Sequence, residues 1–143
     1  MADPRPRGMP WLTPYLTVRD AKKSIAFYKK AFGFVSMGIM KDKGKIMHVG
    51  MTYKKQTVLM FSPEGAMGDK MRTPKTMKAM ACEAHYLYVD DVDAAYTKAI
   101  KAGGKSVSKP EDMFWGDRHA AIDDIDGHRW SLAHKLAKRS TKK

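Results

Sequence analysis

One segment of this chain recurs about half of the chain's length further on. The letters YLTVRD at residues 15–20 return as YLYVDD at residues 86–91. Three more identities keep the same alignment: Lys30 with Lys101, Ala31 with Ala102 and Gly33 with Gly104. This alignment, in which Tyr15 matches Tyr86, is called the repeat register below. Because seven identities in one register exceed what chance supplies, we interpret the chain as two copies of one structural unit.

Each copy begins with a strand that leads into a helix. In the first copy, residues 11–18 are predicted as a strand, and Asp20 as the N-cap of a helix from Ala21 to Phe32. Apolar residues recur in this helix at spacings of four, three and four, which gives it one apolar face, and Gly33 ends it. Further short strands are predicted over residues 34–40, 46–51 and 57–61.

The second copy repeats this order and closes with a hairpin. Asp91 is the predicted N-cap of its helix, whose apolar face consists of Val92, Tyr96, Ala99 and Ile100. The final segment, residues 113–132, reads MFWGDRHAAIDDIDGHRWSL. Its Asp126-Gly127 pair predicts a tight turn between two strands, because glycine tolerates the positive φ that such turns require. The predicted fold class is therefore α+β, with two βαβββ modules.

The chain divides into an arm, one domain and a tail. Residues 1–10 are rich in proline and are predicted to be a flexible N-terminal arm. Residues 11–134 are predicted to form a single domain, with module one at 11–61, a connector at 62–82 and module two at 83–134. The connector carries prolines, glycines and four methionines, which predicts an irregular linker over the core or, alternatively, a methionine-lined cavity wall. Residues 135–143 form a basic C-terminal tail.

The net charge of +12 suggests a nucleic-acid partner until it is placed along the chain. Five positive charges lie in the tail, and the lysines of the body are scattered among apolar positions, as on a solvated face. Since a basic-aromatic recognition motif is absent, nucleic-acid binding is not favoured, while the positive field favours anionic small molecules. A single cysteine, no secretory signal and no apolar run of about 20 residues predict a cytoplasmic protein without a membrane partner.

Two modules of this length resemble the glyoxalase, bleomycin-resistance and extradiol-dioxygenase superfamily, also called vicinal oxygen chelate proteins. The resemblance covers nearly all of residues 11–134, from YLTVRDAKKSIAFYKKAFGF to WGDRHAAIDDIDGHRWSL. The nearest branch is the demethylubiquinone-methyltransferase-like one, whose members carry FWGDR followed by a DPDGH turn, read here as DIDGH at residues 124–128. The resemblance implies a glyoxalase-like fold, in which paired modules form a curved mixed-sheet cup, and a homodimer. Methyl transfer is not predicted, because no Gly-rich signature for a nucleotide-like methyl donor is present.

Metalloenzymes of the superfamily place His and Glu ligands on their first, fourth, fifth and eighth strands. Carried over to this chain, those positions fall on Thr13, Met60, Ala84 and Ser131, and a shift of one residue on the fifth strand brings in His85. These residues do not form a ligand set for a divalent metal, so no cofactor is predicted. A divalent metal held by His48, His85 and His119 is the alternative.

A cup without a metal is still a binding site, and strand parity predicts its walls. Tyr15 on the first strand and Tyr86 and Tyr88 on the fifth are predicted to stack on a planar guest; core packing against a helix is the alternative. Trp115 and Arg118 complete the predicted ligand-binding set, because a guanidinium beside an indole suits an anionic planar ligand. The alternative for Arg118 is a salt bridge with an acid that holds the hairpin or a dimer contact, the candidates being Asp117, Asp123 and Asp124.

Three functions are compatible with these observations. The first is binding of a small organic molecule, anionic or aromatic, in a cup that lacks the usual metal ligands. The second is a metal-dependent lyase, isomerase or dioxygenase of the same superfamily with nonstandard ligands, so the sequence leaves open whether the chain is an enzyme. The third is binding of nucleic acid or an acidic partner through the basic tail.

Overall fold

The first module has the strand, helix and three strands that the repeat predicts. The computed structural model describes residues 1–137. The elements of this module are β1 (Tyr15–Val18), α1 (Ala21–Phe32), β2 (Val35–Asp42), β3 (Lys45–Tyr53) and β4 (Gln56–Pro63). Asp20 caps α1 by accepting a 3.0 Å hydrogen bond from the backbone N–H of Lys23, and Gly33 ends the helix at a φ of 73°. The bounds of α1 therefore agree with those predicted.

The second module repeats the order of the first. A connector with a 3₁₀ turn (Ala66–Gly68) and a short helix, α2 (Pro74–Met77), leads into it. Its elements are β5 (Ala84–Tyr88), α3 (Val92–Lys101), β6 (Lys105–Asp112), β7 (Asp117–Asp123) and β8 (Arg129–Lys135). The α+β class, the two βαβββ modules and the closing hairpin of β7 and β8 are thus confirmed. The four methionines of the connector are exposed.

The first strand is shorter than predicted. The sequence predicts it over residues 11–18, but β1 begins at Tyr15, because Pro14 lacks the backbone N–H that a strand ladder needs. Pro14 contributes its carbonyl oxygen alone, which accepts a 3.0 Å hydrogen bond from the backbone of Met60. Before the strand, the guanidinium of Arg5 lies 4.0 Å from the ring centroid of Trp11.

Each module forms one mixed sheet of four strands. The strand order is β1-β4-β3-β2 in the first sheet and β5-β8-β7-β6 in the second. β1 is parallel to β4 and places Tyr15 opposite Met60, while β5 is parallel to β8 and places Tyr86 opposite Ser131. The remaining pairs are antiparallel. The duplicated sequence is therefore a duplicated sheet topology, and corresponding residues occupy corresponding register positions.

One apolar core joins the two modules. Trp130 on β8 is buried, and its ring lies 5.5 Å from Tyr28 and 5.1 Å from Phe32, both on α1 of the other module. Phe34 completes the aromatic group, with its centroid 6.0 Å from that of Trp130. Because aromatic side chains bury large areas, this shared cluster fixes the two modules against one another.

The turn between β7 and β8 forms a second contact between the modules. Asp124 is buried and accepts hydrogen bonds at Oδ2 from the Tyr28 hydroxyl (2.6 Å) and the Trp130 indole (3.0 Å). Asp126, also buried, accepts a 2.8 Å hydrogen bond from Nε of Arg19. The acids of this turn therefore also anchor it to the first module.

The two ends of the chain are described to different extents. The N-terminal arm is described in full, whereas Lys138, Arg139, Lys142 and Lys143 of the basic tail lie outside the described residues. Among residues 1–137, no helix is both long and apolar enough to cross a membrane.

Candidate functional site

Two tyrosines of β5 lie on the same face of the second sheet. Successive strand residues point to opposite faces, and Tyr86 and Tyr88 are 46% and 57% exposed, whereas Leu87 between them packs against the core. Two of the predicted ligand-binding residues are thus brought together on the face away from the helices. The alternative of core packing is not what the structure shows for either ring.

Asp117, at the start of β7, connects these tyrosines. Its Oδ2 accepts hydrogen bonds from the hydroxyls of Tyr86 (2.8 Å) and Tyr88 (2.9 Å), and the residue is only 7% exposed. The indole Nε1–H of Trp115 donates a 3.1 Å hydrogen bond to the Tyr86 hydroxyl. The ring of His119 stacks on that of Tyr86, with centroids 5.8 Å apart. These five residues are called the aromatic cluster below.

The hydrogen bonds of the aromatic cluster change the pKa of its ionisable groups. The hydrogen bond from Tyr86, followed by that from Tyr88, lowers the pKa of Asp117 in spite of burial. Burial, assisted by the bond to Asp117, raises the pKa of Tyr86, and the bond to Asp117 raises that of Tyr88. At neutral pH the cluster therefore holds a carboxylate and two protonated tyrosines.

Trp115 is positioned by the turn that precedes β7. The backbone N–H of Met113 donates to the carbonyl of Asp117 over 2.8 Å, and Gly116, at a φ of 97°, makes the turn between them. The Trp115 side chain is 47% exposed and lies edge-on to His119, with centroids 6.0 Å apart. A cavity of about 730 Å³ borders this segment and includes Trp115, Asp117 and Lys135 in its walls.

The first module contains a simpler version of the same arrangement. Tyr15 and His48 form a 2.7 Å hydrogen bond between the hydroxyl oxygen and Nδ1, and their rings are 5.6 Å apart. In the repeat register Tyr15 corresponds to Tyr86 and His48 to His119. Each module therefore carries a tyrosine-histidine pair at equivalent positions, one that sequence reasoning missed although the repeat register contains it.

The second module carries additional groups that the first lacks. In the repeat register, Trp115 and Asp117 correspond to Gly44 and Ile46, and Tyr88 corresponds to Thr17. The acid, the indole and the second tyrosine hydroxyl thus occur in one module alone. This asymmetry singles out the second sheet as the more elaborate site. The sequence offers Asp117 as a salt-bridge partner for the neighbouring Arg118, and it does not reveal that two distant hydroxyls converge on Asp117.

Arg118 does not join the aromatic cluster. Its guanidinium forms ion pairs with Asp93 of α3 (Nε to Oδ2, 2.6 Å) and Asp112 of β6 (Nη1 to Oδ1, 2.8 Å). Because adjacent strand residues face opposite sides, Arg118 points toward α3 while Asp117 faces the tyrosines. Arg118 therefore forms salt bridges, as the alternative interpretation of the sequence expected. Its partners are Asp93 and Asp112, not Asp117, Asp123 or Asp124. These ion pairs raise the pKa of Arg118 and lower that of Asp93.

The three histidines of the alternative metal site do not converge. His48 bonds to Tyr15, His119 stacks on Tyr86, and His85 lies on the opposite face of β5, with its ring 5.1 Å from that of Trp130. Burial lowers the pKa of His85. Within residues 1–137, no three His, Cys, Asp or Glu side chains are grouped so that they could hold a metal ion. The alternative set of His48, His85 and His119 is therefore not brought together: His85 lies on the face of β5 opposite to Tyr86, and His48 and His119 contact tyrosines of different modules.

The positions where metalloenzymes of the resembled superfamily bind their metal also lack a ligand set. Met60 lies opposite Tyr15, and Ser131 lies opposite Tyr86 and is buried. Ala84 offers no donor atom, and Thr13 precedes β1. A thioether, two hydroxyls and a methyl group do not suit a divalent cation, so the residues present do not fit the metal that the family implies.

A comparison of the whole sequence with protein families places this architecture. A model of the Glyoxalase/Bleomycin resistance protein/Dioxygenase superfamily matches residues 8–132. The chain belongs to this superfamily. The match concerns the superfamily as a whole and does not distinguish its demethylubiquinone-methyltransferase-like branch.

Individual relatives of this superfamily member agree in length and fold. The Mycobacterium bovis protein described as Uncharacterized protein Mb0911c is 38% identical over 129 residues, covering 89% of this chain and 84% of its own length. TioX from Micromonospora sp. ML1 superposes with a TM-score of 0.68 at 21% identity, covering 87% of this chain and 98% of TioX. The fosfomycin resistance protein FosX from Listeria monocytogenes, complexed with Mn(II), superposes with a TM-score of 0.65 at 13% identity. The alignment covers 87% of this chain and 88% of FosX. At these identities the two structures establish a shared fold alone.

Proposed function

We propose that this protein binds a small planar organic molecule on the aromatic cluster, without a metal at the positions that superfamily metalloenzymes use. The observation that carries this proposal is the hydrogen-bonded set in which Asp117 holds Tyr86 and Tyr88, and Trp115 is bonded to Tyr86. Three rings that are about half exposed are thereby fixed before a ligand arrives. Preorganised rings lose little side-chain entropy on binding, which favours affinity.

The charge of the aromatic cluster favours a neutral or cationic ligand over the anionic one expected from the overall charge. Asp117 is the acid within it, its pKa is lowered, and Arg118 is engaged elsewhere. Both tyrosine hydroxyls donate to Oδ2, so Oδ1 is used by neither of them. A carboxylate oxygen accepts hydrogen bonds, and aromatic faces attract cations. The ligand we propose therefore has an aromatic ring and a hydrogen-bond donor at its edge.

A pair of probes of opposite charge tests this proposal. Proflavine is planar and cationic, and 2-naphthoate is planar and anionic, so quenching of tryptophan fluorescence reports binding of each. We expect proflavine to bind more tightly than 2-naphthoate, and the preference to shrink in Asp117→Asn, which removes the charge at nearly constant shape. Arg118→Gln is the control, and it should leave the preference unchanged. Tighter binding of 2-naphthoate, lost in Arg118→Gln, would contradict the proposal.

The proposal extends to a homodimer that forms through β2. This strand is at the edge of the first sheet, and four of its apolar side chains are exposed: Val35, Met37, Ile39 and Met40. In the repeat register, β6 carries Ser106, Ser108, Pro110 and Glu111 instead. Charged residues and proline protect an edge strand from pairing, so the second module has a protected edge where the first has an apolar one. A second copy of the chain is the partner we propose for β2.

Sedimentation velocity tests this interface with a variant in which residues of β2 are replaced by their counterparts in β6. The variant Val35→Ser, Met37→Ser, Met40→Glu gives β2 three of these four side chains of β6, and we expect it to sediment as a monomer where the natural protein sediments as a dimer. Met67→Ser, Met80→Ser is the control, because it removes exposed methionines from the connector. A natural protein that is monomeric at tens of micromolar, or a β2 variant that stays dimeric, would refute this interface.

A further inference from the structure

A cleft lies between the modules on the side of the helices, away from the aromatic cluster. Its volume is about 350 Å³, and it is bordered by the end of α1, the turn between β3 and β4, and the start of α3. Four lysines line it: Lys29, Lys30, Lys54 and Lys98. Its apolar wall includes Phe32, Tyr53, Val89 and Ala95. Four of the 27 lysine and arginine residues of the chain therefore surround one cleft.

The two helices carry different side chains where each faces the hairpin turn of the other module. Tyr28 and Ser24 of α1 face the β7–β8 turn. The Tyr28 hydroxyl donates a hydrogen bond to Asp124, and the Ser24 hydroxyl donates one to Asp126. In the repeat register α3 carries Ala99 and Ala95 in place of this tyrosine and serine. A methyl group cannot reach the facing β3–β4 turn as a phenol can. Ala95, the counterpart of Ser24, lies in the wall of the cleft, whereas Ala99, the counterpart of Tyr28, is buried beneath it in the core.

The turn that borders the cleft has an unusual conformation for its residues. Lys54 and Lys55 have φ values of 49° and 67°, in the left-handed region where hairpin turns usually carry asparagine or glycine. Non-glycine residues held there store strain, which tends to mark functional sites. The Lys54 ammonium is ion-paired with Asp90, which directly precedes the N-cap of α3. This contact holds the turn across the opening of the cleft.

Both acids at the cleft interact with other groups of the protein, whereas three of its four lysines form no ion pair among residues 1–137. Asp90 pairs with Lys54, and Asp91 accepts a hydrogen bond of 3.2 Å from the backbone of Ala94 in the first turn of α3. Within residues 1–137, Lys29, Lys30 and Lys98 form no ion pair with an acid. Like charges that share a cleft repel one another, and a multivalent anion between them removes that repulsion.

We propose that this cleft binds the phosphate group of a small phosphorylated molecule. The lysines supply N–H donors and charge, and the apolar wall formed by Phe32, Tyr53 and Val89 accommodates an organic part beside the phosphate. The site is separate from the aromatic cluster, since Val89 follows β5 on the face opposite to Tyr86 and Tyr88. The proposal therefore does not depend on the function proposed above.

Calorimetric titration at constant ionic strength tests the site with inorganic phosphate, pyrophosphate and AMP. The natural protein should bind pyrophosphate saturably at one site per chain, and in Lys29→Gln, Lys98→Gln we expect the affinity to fall about tenfold. The control Lys105→Gln, Lys109→Gln makes the same charge change on β6 and should keep the affinity of the natural protein. Binding of AMP tighter than phosphate identifies a phosphorylated organic ligand, whereas equal binding identifies free phosphate.

A second variant distinguishes binding in the cleft from a general effect of the protein's net charge. Ala95→Leu keeps every lysine but places a larger side chain in the wall, so we expect weaker pyrophosphate binding at an unchanged net charge. Its melting temperature is compared with that of the natural protein to confirm that it folds. Absence of saturable binding, or an equal loss in the cleft and control lysine variants, would overturn the proposal.

Discussion

The hydroxyl of Tyr86 donates a 2.8 Å hydrogen bond to Oδ2 of Asp117. The two residues come from β5 and β7, which are separated in the sheet by β8. The bond therefore crosses a strand and fixes the ring of Tyr86 over the face of the sheet. Since Trp115 donates to the same hydroxyl, the orientation of both rings depends on one carboxylate.

The pH dependence of stability should reveal this carboxylate. The pKa of Asp117 is lowered in the folded protein, chiefly by Tyr86, and an unfolded aspartate has a pKa of about 3.9. The stabilisation is therefore present above about pH 4 and is lost as the pH falls through the folded-state value. We expect Asp117→Asn to be less stable than the natural protein at pH 6 and to approach it toward pH 3, measured by urea unfolding. A difference that is constant with pH would show that the charge of Asp117 has no part in it.

Removal of the Tyr28 hydroxyl should destabilise the joint between the modules. Tyr28 is buried and donates to Asp124 over 2.6 Å, so Tyr28→Phe leaves a buried carboxylate with one donor fewer, at a cost of about 1–3 kcal/mol. Tyr96→Phe is the matched control, because its hydroxyl bonds to Ser106 at an exposed site. Urea unfolding should show a much smaller change for the control. Equal losses in the two variants would argue against a specific role for the Tyr28–Asp124 bond.

The same hydroxyl predicts an effect at alkaline pH. Burial, and then the charge of Asp124, raise the pKa of Tyr28 well above its usual range, whereas an unfolded tyrosine ionises near pH 10. Above about pH 10 the unfolded chain loses this proton first, so the natural protein loses stability as the pH rises. Tyr28→Phe has no such proton, and we expect the stability difference between the two to shrink from pH 8 to pH 11. A difference that grows over that range would contradict the assignment.

Gly127 in the β7–β8 turn should be more sensitive to substitution than other glycines with positive φ. Its φ is 87°, and an added Cβ would lie 3.2 Å from Cβ of Pro74 in α2. Gly44 has a φ of 79° with no atom within 4 Å of an added Cβ, so Gly44→Ala measures the cost of the left-handed backbone alone, about 1–2 kcal/mol. Gly127→Ala should lower the unfolding free energy by more than Gly44→Ala. A smaller or equal loss at Gly127 would mean that the contact with Pro74 relaxes freely.

The repeat and the helix signals predicted most of the fold. Asp20 and Gly33 marked the ends of α1 because capping is a local interaction that sequence records directly. The start of β1 was misplaced because the effect of Pro14 depends on which backbone groups pair across the sheet. The shared core of Trp130 and Tyr28 joins residues of different modules, and no local pattern contains that contact.

The candidate site was predicted less completely than the fold. Strand parity placed Tyr86 and Tyr88 on one face, since alternation is a property of a single strand. Parity also separates Arg118 from Asp117, but the sequence does not say which of the two faces the tyrosines. The role of Asp117 depends on convergence of hydroxyls from another strand, and only the tertiary structure supplies that information.

Nuclear magnetic resonance of the three tryptophan indoles tests the central claim most directly. In protein labelled with ¹⁵N, each indole N–H gives one signal, and Trp115→Phe assigns the one in the aromatic cluster. Trp130 is buried and bonded to Asp124, which makes it an internal reference. On addition of proflavine we expect the Trp115 signal to shift saturably while the Trp130 signal stays in place, and the shift to weaken in Asp117→Asn. Binding that moves the Trp130 or Trp11 signal and leaves Trp115 unchanged would contradict a ligand site at this cluster.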